Sequence, residues 1–470
     1  MVDYYYRKFY WCYDQQPVEI LKPIQDMVEN LYSNWFLDSL GTAWSSSLAG
    51  EAEGHWRIPG INGQQDFYKN HVDKVVGSGH RCFVIISDAL RYEVGLEITE
   101  RLNAEKGGKA AIQSMLGVLP STTRYGMAAL LPHQQLSLND KGQVMADGMK
   151  TDSLAERDAV LKTKWAESLA IDYHSIIAAT QDERREMVKG RKMVYIYHNC
   201  IDAVGDKAAT EIKVFDAAHQ AIEEILRLVR IIRDDLSGVN IFITADHGFI
   251  YKRDPLLESD KIKKETVGAF EEKRRYMLGY QEKEAGGLMT FKPKYLHSDE
   301  GPLVVYVPKG TIRFKVPGPG ANYVHGGAAL QEVVVPLINF RVVRGSQAKK
   351  IKEHKVKVKL VNESRKITNS LFTLEFFQTE KVGGGYIPCT VDIYLTDEEG
   401  QVLSNQETII ADRQSDKPDE RTFKLKLTLK TGNYDKNKDY YLIIKDTETK
   451  LNEGKIPFKI NLAISSDFDF

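Results

Sequence analysis

Cysteine is scarce in this sequence, with four residues among 470: Cys12, Cys82, Cys200 and Cys389. They are scattered without the close spacing of zinc-binding motifs, which argues against a disulfide framework and against a cysteine-rich metal site. Cys82 and Cys200 lie in apolar surroundings, as buried free thiols do. Such thiols are typical of a reducing compartment, so the sequence predicts a cytoplasmic protein.

Long apolar runs and an excess of charge of one sign are lacking as well. No stretch approaches the roughly 20 apolar residues needed to span a bilayer, so we expect no membrane association. Residues 1–8 are aromatic and charged and lack the apolar core of a secretion signal. With 64 basic and 65 acidic residues, the formal net charge is -1. Binding to nucleic acid would therefore require a local basic patch.

Aromatic residues, by contrast, are concentrated in residues 1–75, which we expect to form a helical N-terminal segment. Within residues 18–40 the apolar positions recur at helical spacing. They are Ile20, Leu21, Ile24, Met27, Val28, Leu31 and Trp35. A packing core is the favoured interpretation of these aromatic and apolar residues. A base-stacking platform is the alternative, although few basic residues are interleaved with them.

Residues 76–345 alternate strand and helix patterns, which predicts an α/β domain with a doubly wound sheet and helices on both faces. The predicted strands are 82–87, 114–119, 193–197, 240–244 and 333–340, and the predicted helices are 90–103, 122–131, 152–162, 176–189 and 208–235. Residues 251–301 are polar and charge-dense. They have two interpretations, a cap inserted after the strand at 240–244 or a solvated helical excursion.

A small polar linker at 344–350 separates this domain from a C-terminal region of different periodicity. Apolar and polar residues alternate there in short stretches, at 356–361, 371–376, 390–395, 422–427 and 440–444. This pattern predicts an antiparallel β-sandwich over residues 353–470. The region contains no catalytic constellation, so we expect it to serve as an interaction module.

Two of the apolar strands end in a carboxylate. Residues 241–244 lead through Ala245 to Asp246, His247 and Gly248, and residues 82–87 lead to Asp88. Continuous apolar runs suit strands covered on both faces of a parallel sheet, and ligands bind beyond the carboxyl ends of such strands. Gly248 would let the backbone turn sharply or pass close to an ion. Carboxylates combined with imidazole suit Zn, Mn or Mg better than a soft metal.

Three hydroxyl groups, those of Ser121, Thr122 and Thr123, follow the apolar run at 115–119 and precede a helix-like stretch. A Ser or Thr at a strand-to-helix junction is most commonly an N-cap. A hydroxyl group beside a metal ion can instead lose its proton and attack phosphorus.

Asp202, Asp206 and His325 are further candidates. The two carboxylates are four positions apart and share one face of a helical turn, where a cation would relieve their repulsion. On spacing alone, a solvated loop with separate partners is the favoured interpretation of this pair. His325 is followed by two glycines and preceded, at 317–320, by Pro-Gly-Pro-Gly. Such tightly turned backbone favours a placed functional group over a packed one.

Taken together, these motifs resemble the alkaline phosphatase superfamily of two-metal phosphohydrolases. The shared order is an Asp after the first strand, a Pro-Ser-x-Thr turn, an Asp-x-x-Gly-acid segment, an Asp-His-Gly and a late His-Gly. More narrowly, Ser-Asp-Ala-Leu-Arg-Tyr-Glu at 87–93 and Pro-Ser-Thr-Thr-Arg at 120–124 look like the PglZ domain of BREX phage-defence systems. The resemblance covers roughly residues 60–345 and implies an alkaline-phosphatase-like fold for that region.

The resemblance also implies two divalent metal ions, Zn, Mn or Mg. It assigns one ion to Asp88, Asp246, His247 and the nucleophile, and the other to Asp202, Asp206 and His325. The nucleophile it implies is Thr123, with Thr122 and Ser121 as second choices. Many superfamily members carry His where this chain has Asp206, which shifts the expected preference from Zn toward Mn or Mg.

Arg124, Arg91 and Glu93 have supporting roles in this hypothesis. Arg124 could contact a phosphate oxygen, although a salt bridge is the plainer interpretation. Arg91 and Glu93 are expected to orient the metal ligands.

The function implied by the resemblance is a metal-dependent phosphodiesterase or nuclease-type hydrolase in BREX anti-phage defence. Its expected partners are other BREX proteins, with DNA or another nucleic acid as a further candidate. The alternatives are a phosphomonoesterase and a non-catalytic metal-binding scaffold. A sulfatase is disfavoured because neither Cys nor Ser stands at position 123 to become a formylglycine.

Overall fold

The computed structural model describes residues 1–15, 19–51, 56–105, 107–254, 258–263, 268–282, 287–316, 322–343, 354–383, 386–447 and 452–462. The chain divides into two compact units, residues 1–344 and 345–470. The predicted linker at 344–350 and the Pro-Gly-Pro-Gly turn at 317–320 lie outside the described residues.

A seven-stranded sheet forms the centre of the first unit. Its strands in chain order are β1 (Asn62–Gly63), β2 (Cys82–Ser87), β3 (Gly108–Leu116), β4 (Ser168–Asp172), β5 (Met193–His198), β6 (Asn240–Thr244) and β7 (Val334–Val342). Their order in the sheet is β1-β3-β7-β6-β2-β5-β4. Every residue of β2 and β5 is buried, as expected for continuous apolar strands covered on both faces.

The sheet is mixed rather than wholly parallel. β2 runs parallel to both β5 and β6, whereas β7 runs antiparallel to both β3 and β6. The strand expected at 114–119 is instead Gly108–Leu116, because its first residues alternate in burial and carry no continuous apolar run. The short strands β1 and β4 were not predicted.

Twelve α-helices accompany the sheet among the described residues. They are α1 (Val2–Gln15), α2 (Lys22–Glu29), α3 (Asp38–Glu51), α4 (Asp73–Gly77), α5 (Tyr92–Ala104), α6 (Thr123–Ala129), α7 (Leu154–Lys164), α8 (Tyr173–Ala178), α9 (Gln181–Val188), α10 (Ile201–Gly205), α11 (Val214–Asp234) and α12 (Leu330–Val333). A π-helical stretch, Asn30–Leu37, joins α2 to α3. The helix expected at 176–189 is divided, because the Thr180 side chain caps a new helix start.

The N-terminal segment belongs to the first unit and packs onto it through α1. The buried Arg7 guanidinium pairs with Glu93 at 2.9 Å and with Glu97 at 2.6 Å, both on α5. Tyr6 and Tyr32 stack with ring centroids 3.5 Å apart, and Tyr10 is fully buried. The packing-core interpretation therefore holds for these aromatic residues.

The same interpretation is wrong for most of the apolar positions at 18–40. Five of them form an exposed stripe: Ile20, Ile24, Met27, Leu31 and Trp35, with exposed fractions from 44% to 83%. The opposite, largely polar face of α2 is the buried one, and Glu29 there accepts hydrogen bonds from Tyr6 and Tyr10. Helical periodicity identified the stripe, whereas the tertiary fold turned it outward.

The described residues of the region 251–301 form short strands and one 3-10 turn, Glu258–Asp260, rather than the solvated helical excursion considered as an alternative. Its described strands are Lys261–Ile262, Glu271–Glu272, Met277–Gly279, Leu288–Phe291 and Leu296–Ser298. Three of them join Val304–Pro308 in a four-stranded sheet with a small core of its own. Leu296–Ser298 pairs with Leu136–Leu138, in a second four-stranded sheet that includes Val144–Ala146 and Met149–Lys150. Two further strand pairs are Ile250–Tyr251 with Tyr323–Val324 and Lys261–Ile262 with Arg313–Phe314.

The described part of the second unit is built from β-strands that share a hydrophobic core. A three-stranded sheet contains Val358–Leu360, Leu371–Gln378 and Thr422–Thr428. A five-stranded sheet contains Lys366–Ile367, Asn452–Ile460, Tyr440–Asp446, Cys389–Thr396 and Glu407–Ala411. A short pair, His354–Lys355 with Tyr386–Ile387, completes the described strands. Leu374 and Phe376 of one sheet share a core with Ile393 and Leu442 of the other, as in a sandwich.

We expect Arg7→Met to lower the free energy of unfolding of the first unit by about 3 kcal/mol, because it leaves two carboxylates buried without their guanidinium partner. The measurement is the denaturant midpoint followed by tryptophan fluorescence. All five tryptophans lie between residues 11 and 165, so this signal reports on the first unit.

The matched control is Lys189→Met, which breaks an exposed pair with Glu186. Its midpoint should stay at the wild-type value, because exposed pairs contribute little. An equal response of the two variants would contradict the importance of the buried pair.

Candidate metal centre

The candidate ligands gather at the carboxyl ends of the three neighbouring parallel strands β5, β2 and β6. Asp88 directly follows β2, and Asp246 and His247 follow β6. Asp202 lies on α10, just beyond β5. The parallel alignment places these three strand ends side by side, because Ile86 of β2 pairs with both Tyr197 of β5 and Thr244 of β6.

Asp88, Asp246 and His247 form a buried group whose ligand atoms lie within 4.8 Å of one another. The imidazole Nε2 of His247 is 3.5 Å from Asp88 Oδ1 and 3.4 Å from Asp246 Oδ2. The amides of Ala89 and His247 donate to Asp246 Oδ1 at 3.1 and 2.9 Å. Asp246 Oδ2 is buried and has no hydrogen-bond partner among the described residues. A divalent cation fits such an oxygen, because an unpaired buried carboxylate is costly.

The pKa of Asp88 also indicates that negative charge is disfavoured at this site. Burial, and then the nearby carboxylates of Asp246 and Asp202, raise this pKa well above its ordinary value. A cation among these carboxylates would reverse the effect, since an opposite charge favours the ionised form.

Thr123 is the hydroxyl residue that the fold brings to this group. Its Oγ1 lies 3.1 Å from His247 Nε2 and 3.4 Å from Asp88 Oδ1. Ser121, by contrast, donates its hydroxyl hydrogen to the carbonyl of Gly327 at 2.6 Å and is buried. Thr122 occupies the N-cap position of α6, although its side chain makes no capping hydrogen bond.

A second group, Asp202, His247 and His325, adjoins the first and shares His247 with it. His325 Nε2 lies 3.8 Å from Asp202 Oδ1, and the rings of His247 and His325 stack with centroids 4.2 Å apart. Burial, followed by the charge of His247, lowers the pKa of His325 to about 4. Its ring is therefore neutral at pH 7, which is the form that binds a metal ion.

Asp206 lies apart from this second group of ligand atoms. It follows the last turn of α10, with its amide donating to the Asp202 carbonyl at 2.9 Å, and it is exposed. Desolvation, followed by the charge of Asp202, raises its pKa. The two carboxylates are neighbours, as their spacing predicted, but in the structure Asp206 stands at the rim.

The side chains of Arg124, Arg91 and Glu93 contact residues other than the candidate metal ligands. Arg124 donates to the Gly142 carbonyl at 2.8 Å and pairs with Glu271 at 3.3 Å, so the salt bridge is the observed arrangement. Arg91 pairs with Asp3 and lies over the ring of Phe249. Glu93 pairs with Arg7. These last two residues hold the N-terminal helix, so the expectation that they orient the metal ligands is wrong for the described contacts.

Two supporting residues were missed by the sequence reasoning. Gln64, fully buried after β1, donates to the carbonyls of Ala245 and Asp246, both at 2.8 Å, and accepts from the Val118 amide at 3.1 Å. Tyr323 donates its hydroxyl hydrogen to Asp202 Oδ1 at 2.9 Å. Neither residue lies in a recognisable motif, although Tyr323 is two positions before His325.

Glycines allow the close backbone contacts around the site. A Cβ atom on Gly126 of α6 would lie 2.2 Å from the Asp246 carbonyl oxygen. One on Gly248 would lie 2.1 Å from the carbonyl oxygen of Gln331. The close approach anticipated at Gly248 is therefore to the protein backbone.

Comparison with known families identifies the same family that the sequence motifs resemble. The family model for the BREX system PglZ alkaline phosphatase-like domain matches residues 67–340. The chain belongs to the PglZ family. The resemblance inferred from the sequence is thereby confirmed, and so is the α/β fold class with a β-rich C-terminal region.

Two curated PglZ-family relatives align with nearly the whole chain. The Alkaline phosphatase-like protein PglZ of Bacillus cereus (strain H3081.97) is 45% identical over 472 residues, which cover 100% of this chain and 55% of the relative. The Alkaline phosphatase-like protein BrxZ of Escherichia coli O9:H4 (strain HS) is 36% identical over 465 residues, which cover 96% of this chain and 52% of the relative. The chain thus spans about half the length of these relatives.

Solved structures resembling the chain include murine and human ectonucleotide pyrophosphatase/phosphodiesterase 5. The murine structure aligns with a TM-score of 0.39 at 10% identity, and the human one with 0.38 at 9%. Each alignment covers 56% of this chain and 88% of the other.

No helix among the described residues combines the length and the apolar character needed to cross a bilayer.

We expect Asp88→Asn to stabilise the protein in the presence of a chelator. Because the pKa of Asp88 is raised in the folded chain, this carboxyl group ionises at a lower pH in the unfolded chain than in the folded chain. Wild-type stability is therefore lost progressively as the pH rises from about 4 through the raised folded pKa. The asparagine side chain does not ionise in this range, so the variant should not lose this stability as the pH rises. Thermal unfolding between pH 4 and 8 measures the difference.

The same variant should respond less to added Zn or Mn. A cation at a hundredfold excess over Kd stabilises the wild type by about 2.7 kcal/mol, and the variant should lose most of that gain. Asp182→Asn, at an exposed position on α9, is the matched control and should follow the wild type. If the thermal unfolding midpoint of Asp88→Asn at pH 8 in chelator were no higher than that of the wild type, the destabilising effect of Asp88 ionisation would be contradicted.

Proposed function

We propose that this chain is a metal-dependent phosphodiesterase or nuclease-type hydrolase that uses Thr123 as its nucleophile. One observation carries the proposal: Thr123 Oγ1 lies 3.1 Å from His247 Nε2 and 3.4 Å from Asp88 Oδ1, inside a cluster of candidate ligands. A hydroxyl placed among metal ligands can be activated as a nucleophile, whereas an ordinary capping hydroxyl has no reason to lie there.

Two divalent cations, Zn, Mn or Mg, are part of the proposal. Asp88, Asp246, His247 and Thr123 would hold one of them, and Asp202, Asp206 and His325 the other. The unpartnered Asp246 Oδ2 and the neutral His325 ring support this division. Asp206 would have to move from its exposed position at the rim, so it is the ligand with the weakest structural support.

When bound, the cations would supply charge that lowers the pKa of the attacking hydroxyl and stabilises the oxygens of the transferring phosphoryl group. Thr123 loses its proton to solvent, and its Oγ forms a bond to phosphorus as the bond from phosphorus to the leaving oxygen breaks. The leaving oxygen takes up a proton from solvent, and the intermediate is a threonyl phosphodiester that keeps the other ester group of the substrate. Water hydrolyses this intermediate, which releases a phosphomonoester and regenerates the Thr123 hydroxyl. Asp88 and His247, which lie 3.4 and 3.1 Å from Thr123 Oγ1, would hold the cation beside this oxygen.

Arg124 is a candidate for binding substrate phosphate. It is the residue after the proposed nucleophile, and its side chain is 36% exposed. A phosphate would have to compete with Glu271, which also accepts hydrogen bonds from Tyr276 at 2.7 Å and Tyr125 at 3.4 Å. Because Glu271 has these other partners, it can release Arg124 without being left unpaired.

Family membership motivates the cellular part of the proposal. The family is the BREX system PglZ alkaline phosphatase-like domain, and the relatives are named PglZ and BrxZ. We therefore propose that this chain acts with other BREX proteins in anti-phage defence. DNA is the first substrate to test, with RNA and small diesters next. We further propose a cytoplasmic location.

A non-catalytic scaffold is the second candidate function. The exposed stripe Ile20, Ile24, Met27, Leu31 and Trp35 and the separate β-rich unit favour a docking role. Against the scaffold stands the complete set of residues able to bind metal, which a chain without catalytic function has no need to keep. A phosphomonoesterase would use the same residues on a smaller substrate.

We expect Thr123→Ala to lower kcat/KM for a bis-aryl phosphodiester by at least about a hundredfold, equivalent to about 2.7 kcal/mol of transition-state stabilisation. Zn, Mn and Mg are supplied separately, and a chelator should abolish turnover. An aryl phosphomonoester in parallel distinguishes the two esterase activities, and labelled single- and double-stranded DNA test the nuclease assignment.

Thr122→Ala is the matched control, because it removes the adjacent hydroxyl, and Thr123→Ser should retain part of the activity. Loss of turnover in Thr122→Ala with retention in Thr123→Ala would transfer the nucleophile role to Thr122. If the wild type binds metal but hydrolyses none of these substrates faster than Thr123→Ala, the scaffold function replaces the enzyme.

A further inference from the structure

The structure contains a third cluster of potential metal ligands. It consists of His198 at the end of β5, Cys200 two residues later and Glu224 on α11. One ligand atom of each residue lies within 4.8 Å of the others. The His198 side chain is 1% exposed and that of Glu224 is 21% exposed, so the cluster is enclosed on the β5 side and accessible from α11.

Neighbouring side chains orient two of these residues. Ser87 Oγ lies 2.9 Å from His198 Nδ1, which leaves Nε2 directed at Glu224 Oε2, 2.8 Å away. Gln220 donates to the other carboxylate oxygen, Glu224 Oε1, at 2.8 Å. Metal-binding imidazoles are usually held in this way, with the nitrogen that does not bind the metal hydrogen-bonded to a neighbour.

We propose that His198, Cys200 and Glu224 form a third cation site, separate from the candidate centre and selective for Zn²⁺. One sulfur, one imidazole nitrogen and one carboxylate oxygen form a donor set that Zn²⁺ accepts, whereas Mg²⁺ and Mn²⁺ prefer oxygen donors. On binding, the Cys200 thiol releases its proton to solvent as the sulfur bonds to the cation. This site does not rest on the proposed hydrolase activity.

The position of the site assigns it a structural role. The His198 carbonyl accepts a hydrogen bond from the Asp88 amide at 2.8 Å, and Ser87 immediately precedes Asp88. A cation bound here would join the end of β5 to α11, and the hydrogen bonds of Ser87 and Asp88 to His198 connect the end of β2 to the same place. It would therefore stiffen the backbone that positions Asp88 without contacting substrate.

A simpler account of the cluster is a hydrogen-bonded network without metal. The 2.8 Å contact between His198 and Glu224 satisfies both groups, and the Cys200 thiol can donate to the Ala217 carbonyl, 3.5 Å away. The two accounts differ in one respect, which is whether Cys200 sulfur bonds to a cation. That bond can be observed directly.

The test replaces the bound metal of the purified full chain with Co²⁺ and records its absorption spectrum. We expect a thiolate-to-cobalt charge-transfer band in the near ultraviolet. The candidate centre cannot produce this band, because Asp88, Asp202, Asp246, His247 and His325 supply only oxygen and nitrogen. Cys200→Ser should abolish the band, and elemental analysis of the zinc-loaded variant should show one zinc fewer per chain than wild type.

Cys12→Ser, which changes an exposed cysteine outside the cluster, is the matched control and should retain the band. Absence of the band from the Co²⁺-loaded wild type would overturn the proposal, as would its survival in Cys200→Ser. Because the wild-type spectrum alone can refute the site, the test does not depend on how well the variant folds. Phosphodiesterase activity is not needed for either result.

Discussion

Repulsion between buried carboxylates is the constraint on which the centre of this structure depends. Asp88 and Asp246 end neighbouring parallel strands and are both buried, and Asp202 is close enough to raise the pKa of Asp88. Folding the chain without a cation therefore opposes the ionisation of Asp88. Cation binding and correct assembly of the sheet edge should be coupled, since the same carboxylates serve both.

The polypeptide around these carboxylates is closely packed. Gly126 brings α6, and with it Thr123, against the backbone of Asp246. Gln64 ties the same backbone to Val118 and so connects the segment before β2 to the loop before α6. Such contacts hold Thr123, the proposed nucleophile, more firmly than a flexible loop could.

His247 occupies the junction between the two ligand groups. Its Nε2 faces Asp88, Asp246 and Thr123, while its ring stacks on His325. A change at His247 would therefore disturb both groups together. Asp206 contrasts with it, because its exposed position at the rim lies outside both groups.

The sequence by itself determined the PglZ family, the α/β fold class and the strands that end in Asp88 and Asp246, because continuous apolar runs and short motifs are local signals. Other features were decided only by the tertiary structure. These include the antiparallel direction of β7, the exposure of the stripe from Ile20 to Trp35, the roles of Gln64 and Tyr323, and the meeting of His198 with Glu224. Each of these arises from contacts between residues distant in sequence, and local periodicity carries no information about which face such contacts cover.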